Sequence, residues 1–506
     1  MSRVSICGRG EGTNAPPATH HPPPATHHPS PAMPRTFHLL GCRLLAIIFN
    51  RLTVGLMLSS CALSLVNAHE DHPVAPAAAK KKPVAVDERV VHRPGKMPDR
   101  IVLTWTADPA TSQAVTWRTD TTVEEPVAQL AVAEASSSFE KKAKSFPATT
   151  AHLETDIHAC LCHTVEFADL QPNTKYVYRV GDGVNWSEWF HFRTANDKPE
   201  PFSFIYFGDA QNSLRSHWSR VIREAYSDAP KARFFIHAGD LVNNSKRDVE
   251  WGEWFQAGGW LNAMIPSVPV PGNHEYLSEK IADTDKTVRY LNRHWRPQFA
   301  LPTNGPPGLE ETTYRLDYQG VRFLLLNSNE PPEKQVSWID EQLAAPGASW
   351  KILAFHHPIY SAAIKRDNAG LRKAWKPVFD RHRVDLVLQG HDHAYARTQQ
   401  VGAGNVENVP TGVNARSDEG GTVYVVSVSG PKMYGAAAQP LFRRQAEDTQ
   451  LYQIIHLDGE SLRYEARTAH GELYDAFTLH KRAGQHNELV EQVPNTPARL
   501  REKTPR

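Results

Sequence analysis

Short, continuous runs of apolar residues recur along the second half of the chain, and each one ends at a polar turn. The runs lie at 202–207, 233–237, 267–270, 351–355 and 384–388. Continuous apolar runs of this length are typical of strands that are buried on both faces of a sheet. Because a helical pattern at about 214–229 separates the first two runs, we predict an α/β domain over 200–480.

The preceding region, 97–196, shows a different pattern, in which short β-branched and aromatic runs are separated by turn residues. Such runs lie at 101–105, 114–117, 176–180 and 186–194. Their alternation and spacing predict a small all-β sandwich. No cluster of catalytic side chains occurs there, so we expect a supporting or interdomain-packing role rather than a substrate-binding one.

The N-terminal region carries neither pattern. Residues 1–32 repeat a Pro/His-rich unit and predict a low-complexity head, with Met33 as a candidate start. Residues 33–68 combine arginines with an apolar run that ends at Val66-Asn67-Ala68. This pattern predicts a signal peptide that is cleaved near Ala68, and therefore an exported protein, periplasmic or secreted.

Two other interpretations of the same segment stay open. Cys61 closes a lipoprotein-like box, although the apolar run continues past it. The run from Leu44 to Ala68 is also nearly long enough for an uncleaved anchor. No later segment approaches ~20 consecutive apolar residues, so we predict no membrane span in the mature chain.

The ends of the folded region are predicted from composition. Residues 69–96 are rich in Pro, Ala and Lys and are typical of a linker. Residues 481–506 are charged and contain proline, which predicts a disordered tail. The 506 residues are too many for one ordinary domain.

Charge and cysteine content narrow the function classes. The chain has 56 Lys and Arg against 55 Asp and Glu, for a net charge of +1. This balance gives no electrostatic reason to expect a nucleic-acid partner or a membrane surface. Cys160 and Cys162 are the two cysteines beyond the predicted signal peptide. They are either two buried or free thiols or a strained bridge.

Polar residues with metal-binding side chains follow directly after five of the predicted strands. Because the carboxyl ends of such strands meet at one edge of a sheet, these side chains are expected to lie together. Carboxylate, amide oxygen and imidazole suit Zn, Mn or Fe rather than Ca or an Fe–S cluster. The candidate ligands are Asp209, Asp240, Asn273, His356, His391 and His393.

The chemistry of this set indicates phosphate-ester hydrolysis. A carboxylate such as Asp240 can bridge two ions, and two ions about 3.5–4 Å apart can activate a water and clamp phosphate oxygens. His274 lies beside one candidate ligand and is suited to protonating a leaving oxygen.

The motifs that carry these residues resemble the calcineurin-like metallophosphoesterase family in order and spacing. They are Gly208-Asp209, Gly239-Asp240, Gly272-Asn273-His274-Glu275, His356-x-Pro358 and Gly390-His391-x-His393. Within this family, the chain is similar to the purple acid phosphatases in its residues at 176–181 and 393–397. The resemblance covers about 97–480. It implies a four-layer αββα sandwich, preceded by an all-β fibronectin type III-like sandwich. The runs at 421–430, 451–457 and 462–467 are expected to complete the second sheet of the four-layer domain.

The resemblance also implies roles for the candidate residues and two metal ions, Fe, Zn or Mn. Asp209 and His393 would hold the first ion, and Asp240 would bridge. Asn273, His356 and His391 would hold the second ion. His274 would contact the phosphate and the leaving group. His357 and Tyr360 would line the substrate pocket or serve in packing, and both roles stay open.

Two single residues and one segment depart from the family pattern. Asn243 stands where the purple enzymes carry a tyrosine, and Gln211 stands where many relatives carry a histidine. Gln211 and Asn243 are therefore possible ligands of the first ion, and we expect the protein not to be purple. Residues 361–366 replace histidines that follow the His-x-Pro motif in the purple enzymes.

The sequence therefore predicts a metal-dependent, acid-phosphatase-like hydrolase of small-molecule phosphate monoesters. A phosphodiesterase or nucleotide hydrolase on the same site is one alternative. A catalytically silent metal-binding surface protein is another, against which the presence of all six ligands and His274 argues. Tyr434, after Gly430-Pro431, is predicted to be a loop residue rather than a catalytic one.

Overall fold

The computed structural model describes residues 84–281, 284–402, 420–436 and 438–501. The predicted head, the signal peptide with both of its alternatives, and residues 69–83 of the predicted linker lie outside the described residues. Among the described residues, no helix is both long enough and apolar enough to cross a membrane.

Residues 97–196 form the predicted β-sandwich, which has two antiparallel four-stranded sheets in the orders β1-β2-β6-β5 and β4-β3-β7-β8. Trp117, Phe167 and Tyr178 are among the side chains buried between the sheets. The strands are β1 (Asp99–Thr104), β2 (Gln113–Thr119), β3 (Val127–Val132), β4 (Lys144–Pro147), β5 (Thr149–Glu154), β6 (Ala159–Phe167), β7 (Lys175–Gly181) and β8 (Phe190–Arg193).

The described residues settle the state of the two cysteines. Cys160 and Cys162 are buried free thiols, so the strained bridge does not form. A short exposed helix, α1 (Glu88–Val91), lies inside the predicted linker, and His92 is buried directly after it. The linker boundaries stay a prediction.

The α/β domain contains sixteen described strands. In chain order they are β9 (Phe202–Phe207), β10 (Phe235–His237), β11 (Ser267–Pro269), β12 (Tyr276–Lys280), β13 (Thr287–Leu291), β14 (Tyr314–Tyr318), β15 (Val321–Leu325), β16 (Trp350–Phe355), β17 (Leu386–Gln389), β18 (Tyr395–Thr398), β19 (Val423–Val426), β20 (Phe442–Ala446), β21 (Leu451–Asp458), β22 (Ser461–Thr468), β23 (Leu473–His480) and β24 (Glu488–Glu491).

Two seven-stranded sheets form the centre of this domain. The first has the order β11-β10-β9-β21-β22-β23-β24, and the second has the order β14-β15-β16-β17-β19-β18-β20. Strands β9, β10 and β11 are mutually parallel, as are β15, β16, β17 and β19. The five apolar runs of the sequence thus lie in the parallel parts of the two sheets.

Two sequence predictions about the C-terminal region are corrected. The runs at 451–457 and 462–467 belong to the first sheet, not the second, because β21 pairs antiparallel with β9. The run at 421–430 does contribute a strand to the second sheet, β19. The tail predicted to be disordered contains β24, which pairs with β23.

Helices cover the outer faces of both sheets. They are α2 (Ser219–Asp228), α3 (Asp248–Gly258), α5 (Glu333–Ala344) and α6 (Ala369–Arg381). The short helix α4 (Trp295–Gln298) contacts the β-sandwich instead, where Thr116 of β2 donates to the carbonyl oxygen of Gln298. On the first sheet, Trp254 of α3 packs at 5.4 Å from His237 of β10. On the second sheet, Phe379 of α6 packs on Phe355 of β16.

The two sheets face each other across an aromatic layer. The ring of Phe204 lies 5.4 Å from that of Phe323 on the second sheet. The layers are therefore helix, sheet, sheet and helix, which confirms the predicted αββα sandwich.

Candidate metal centre

The predicted ligands lie in loops that leave the carboxyl ends of the parallel strands. Asp209 follows β9, Asp240 follows β10, and Asn273 follows β11, while His356 and His391 follow β16 and β17. The register pairs Phe207 with His237 at the ends of β9 and β10. The strand ends therefore deliver the side chains to one edge, as the sequence predicts.

One group of side chains contains Asp209, Asp240 and His393. Their ligand atoms lie within 4.8 Å of one another, and all three residues are buried. The Nε2 atom of His393 is 3.0 Å from the Oδ2 atom of Asp209. Gln211 joins this group, with its Nε2 atom 2.8 Å from Asp240 Oδ2 and 3.0 Å from His393 Nε2.

The second group contains Asn273, His356 and His391. The Nε2 atom of His356 lies 3.1 Å from Asn273 Oδ1 and 3.1 Å from His391 Nδ1. The same nitrogen is 3.3 Å from Oδ2 of Asp240. Asp240 thus contacts both groups, as a bridging ligand must.

The hydrogen bonds behind the ligands support metal binding. Nδ1 of His356 lies 2.9 Å from the carbonyl oxygen of Ala238, and Nδ1 of His393 lies 2.8 Å from that of Lys432. Each Nδ1 must donate to its carbonyl, so Nε2 is the nitrogen left to bind a metal ion when the ring gives up its second proton. Lone pairs that converge in a buried space need a cation between them. The donor set and its geometry therefore fit two metal ions.

Electrostatics agree with this fit. Burial disfavours the charge on Asp209, but the imidazoles of His393 and His356 outweigh it and hold the pKa of that carboxyl below its usual range. Burial opposes a charge on His356 as well, but Asp240 and Asp209 raise the pKa of that ring to about 9. Burial lowers the pKa of His391, with His356 adding to the effect. The carboxylates of Asp209 and Asp240 thus favour a positive charge between the two groups of ligands.

Gln211 fits an oxygen-donor role, whereas Asn243 contacts the site through its backbone. The Oε1 atom of Gln211 is buried without a hydrogen-bond partner among the described residues. Exchanging the oxygen and nitrogen of this amide would turn the oxygen toward the carboxylates and His393. The carbonyl oxygen of Asn243 accepts a hydrogen bond from Nδ1 of His274.

The loops that carry the ligands lie very close to one another, and their backbone conformation reflects this. A Cβ atom on Gly272 would lie 2.2 Å from Oδ1 of Asp240, so no larger residue fits there without displacing the carboxylate. Asp240 and His391 adopt positive φ angles of 50° and 71°. Positive φ is uncommon in residues other than glycine, and Asp and His are among the side chains that tolerate it best.

Glu275 supports the bridging loop, a role that the sequence did not reveal. It is fully buried and accepts backbone hydrogen bonds from Asp240, Leu241 and Gly272 at 2.7–2.9 Å. Burial and the neighbouring Asp240 carboxylate raise its pKa to about 8. Its place in the Gly-Asn-His-Glu motif is the signal that points to it.

His274 lies at the accessible side of the centre. Its side chain is 26% exposed, its Nε2 atom is 3.8 Å from Oδ2 of Asp240, and its backbone nitrogen donates to Oδ1 of the same carboxylate at 2.9 Å. His274 is therefore both anchored to the bridging loop and open to a ligand.

His357 and Tyr360 lie in different places in the structure. The ring of His357 lies 4.3 Å from that of His391, and its Nδ1 atom lies 2.9 Å from the hydroxyl of Ser328. Tyr360 is fully buried in the core of the second sheet and packs on Tyr424. The structure thus brings His357 to the centre, whereas Tyr360 takes the packing role, one of the two roles that the sequence left open.

Tyr434 lies in a loop, as predicted, but it also borders the centre. Its ring stacks on that of His393 with centroids 4.5 Å apart. The guanidinium of Arg366 lies over the same ring at 4.8 Å. No sequence motif links these residues, so only the tertiary structure reveals them.

Comparisons with known proteins agree with the site. The model of the purple acid phosphatase N-terminal domain matches residues 98–194, and that of the calcineurin-like phosphoesterases matches 156–395. A phosphoenolpyruvate phosphatase from Allium cepa is 27% identical over 56% of this chain and 58% of its own length. An Fe(3+)-Zn(2+) purple acid phosphatase from Arabidopsis thaliana is 26% identical over 55% of this chain and 60% of its own.

The matches span about three-fifths of the length of these relatives. A solved purple acid phosphatase from yellow lupin (Lupinus luteus) seeds aligns with a TM-score of 0.63 and 19% identity, over 76% of this chain and 74% of its own. A structure of PhoD aligns with a TM-score of 0.56 and 14% identity, over 81% of this chain and 95% of its own. At these identities, both structural alignments support a shared fold.

Proposed function

Because the chain belongs to the calcineurin-like phosphoesterases and has the N-terminal domain of purple acid phosphatases, we propose that it hydrolyses phosphate monoesters at a two-metal centre. The observation that carries the proposal is the position of Asp240, whose carboxylate contacts both His356 and Gln211. One carboxylate shared by two donor groups is the arrangement that a bridged metal pair requires.

We propose that Asp209, His393 and Gln211 hold one ion and that Asn273, His356 and His391 hold the other. When bound, such a pair supplies an activated water and neutralises charge on the phosphate oxygens. The oxygen and nitrogen donors suit Fe, Zn or Mn. Asn243 stands where the purple enzymes carry a tyrosine, so we propose that the protein lacks their colour.

His274 is proposed to handle the proton of the leaving group. Its Nδ1 atom donates to the carbonyl oxygen of Asn243, which fixes the orientation of the ring. A proton carried on Nε2 of this ring could then be donated to the leaving oxygen. His357, beside His391, is proposed to contact the phosphate.

The proposal is tested by removing metal with a chelator, reloading with Mn, Zn or Fe, and assaying 4-nitrophenyl phosphate against bis(4-nitrophenyl) phosphate. We expect metal-dependent cleavage of the monoester, which Asp240→Asn abolishes together with binding of the metal pair. Cleavage of the diester alone would assign a phosphodiesterase instead. Bound metal without cleavage of either ester would refute catalysis and leave a metal-binding protein.

Export is a further part of the proposal. It is supported by the apolar run that ends at Val66-Asn67-Ala68. N-terminal sequencing of the protein recovered outside the cytoplasm should begin at His69, whereas a lipid-modified Cys61 or an intact segment 33–68 would contradict cleavage near Ala68.

A further inference from the structure

Two cations and one aromatic ring form a rim beside the metal centre. We define this cationic rim as Arg366, Lys432 and Tyr434. The guanidinium of Arg366 lies 4.8 Å from the centroid of the Tyr434 ring, and the Nζ atom of Lys432 lies 5.7 Å from it. The same ring stacks on His393 at 4.5 Å, so the cations share an aromatic contact with a proposed metal ligand.

The rim is held in place by the fold. A backbone hydrogen bond from Ile364 to Gly435 and a bridge between Ala363 and Ala436 join its two loops. An Nη atom of Arg366 donates to the carbonyl oxygen of His391 at 3.1 Å and lies 3.3 Å from a carboxylate oxygen of Asp392. A recognition group positioned before the ligand arrives loses little entropy on binding.

The contacts of Arg366 place its charge next to the metal centre, not inside it. Arg366 reaches the backbone oxygen of His391, whereas the Nδ1 atom of that residue faces His356. The rim therefore borders one residue of each proposed ligand group, His391 through Arg366 and His393 through Tyr434.

The rim carries two cations beside one carboxylate, that of Asp392, which pairs with Arg366 at 3.3 Å. Asp392 is fully buried behind Arg366, while the side chain of Arg366 is 34% exposed. Lys432 adds a second cation, and its backbone, rather than its ammonium group, holds His393. An anionic group would complement this surface, and Arg and Lys donate strong charge-assisted hydrogen bonds to carboxylate and phosphate.

We propose that the cationic rim recognises a second anionic group on the substrate, so that the enzyme selects phosphate monoesters whose leaving group carries a carboxylate or a further phosphate. This inference rests on the proposed phosphomonoesterase function. It assigns Arg366 and Lys432 to substrate binding and Tyr434 to positioning them.

The test compares 4-carboxyphenyl phosphate with its methyl ester, which differ by one negative charge remote from the scissile bond. The readout is the ratio of kcat/KM for the acid to that for the ester, in the metal-loaded protein. Loss of one hydrogen bond to a charged group corresponds to about a tenfold change or more. We therefore expect the ratio to fall about tenfold in Arg366→Gln and severalfold in Lys432→Met, mainly through KM for the acid.

Three further variants sharpen the test. Arg366→Lys retains a cation and should keep part of the ratio. Tyr434→Leu removes the ring and should lower the ratio in the same direction as Arg366→Gln. Arg443→Gln is the matched control, because this arginine of β20 makes a 3.7 Å ion pair with Glu491; its ratio should equal that of the wild type. ATP and ADP against AMP separate a further phosphate from a carboxylate as the preferred group.

The outcomes distinguish the two hypotheses. A wild-type protein that cleaves both aryl esters with a ratio unaffected by Arg366→Gln and Lys432→Met would overturn the rim proposal and leave the phosphomonoesterase intact. Variants that lose metal and lose both activities equally would assign the rim to support of His391 and His393, which also overturns it. No cleavage of any monoester by the metal-loaded wild type would refute the proposed function itself.

Discussion

Asp248 joins the β-sandwich to the metal-binding domain, and its replacement provides a direct test of that connection. It is the first residue of α3 and is fully buried. Both terminal nitrogens of Arg100 in β1 bind its carboxylate at 2.7 Å, and Arg118 of β2 lies at 3.3 Å. In the same helix turn, Glu250 accepts hydrogen bonds from Asn243 and Asn244. The sandwich thus anchors the loop that follows Asp240.

The expected loss in the free energy of unfolding follows from the burial of Asp248 and its arginine partners. Asp248→Asn keeps the shape but removes the charge, and it leaves the guanidinium of Arg100, 4% exposed, without its carboxylate. Arg118 retains Asp99 at 2.6 Å. Breaking a buried pair on one side costs about 3–5 kcal/mol. We expect a loss of this size in the free energy of unfolding, measured by urea denaturation with tryptophan fluorescence.

Two further variants decide whether the charge is the cause. The double replacement Arg100→Met with Asp248→Leu removes both charges and should cost less than the single variant, since apolar pairs can replace buried ion pairs. Glu134→Gln, at the exposed pair with Lys142, should have a much smaller effect. A single Asp248→Asn variant as stable as the wild type would contradict the stabilising role of the Arg100–Asp248 ion pair. A double variant that is less stable than the single variant would contradict it as well.

Three other variants test separate parts of the structure. Burial lowers the pKa of His237 to about 3; because an unfolded histidine titrates near ~6.5, this ring stabilises the fold above that pH and costs about 3 kcal/mol at pH 4. His237→Phe should remove that part of the acid destabilisation in urea unfolding at pH 7 and 4, and an unchanged difference would contradict it. His274→Asn should lower kcat by about 10²–10⁴ for phenyl phosphate and less for 4-nitrophenyl phosphate, whose leaving group needs little protonation; equal losses would exclude a role as general acid. Gly272→Ala would place a Cβ atom 2.2 Å from Oδ1 of Asp240 and should reduce the bound metal per chain, whereas Gly370→Ala, with open space around it, should bind metal normally.

The ligand set could be predicted from the sequence because its geometry is local. Each candidate follows a buried parallel strand within a few residues, and parallel strands deliver their carboxyl ends to one edge. The run at 202–207 coincides with β9, so the position of Asp209 followed from the strand alone. The structure brings together the same six side chains that the strand ends identified.

Features that depend on distant pairing could not be predicted in this way. The runs at 451–457 and 462–467 were correctly predicted as strands, but nothing in their composition indicated that β21 would pair with β9 of the first sheet. Tyr434 reached His393 through a loop with no motif of its own. Strand formation is set by neighbouring residues, whereas sheet membership and loop docking are set by the whole fold.

In the loop after β16, the direction of a side chain, rather than its residue type, decides whether it reaches the metal centre or packs in the core. His356 and His357 face the centre, yet Tyr360 turns into the core a few residues later. Two anchors from the start of α6 cause this turn, since Asn368 donates to the carbonyl oxygen of Pro358 and Arg372 donates to that of Ile359. These bonds pull the chain toward the helix layer. A histidine at position 360 would therefore start from the same buried position, so residue type alone does not bring a side chain to the metal centre.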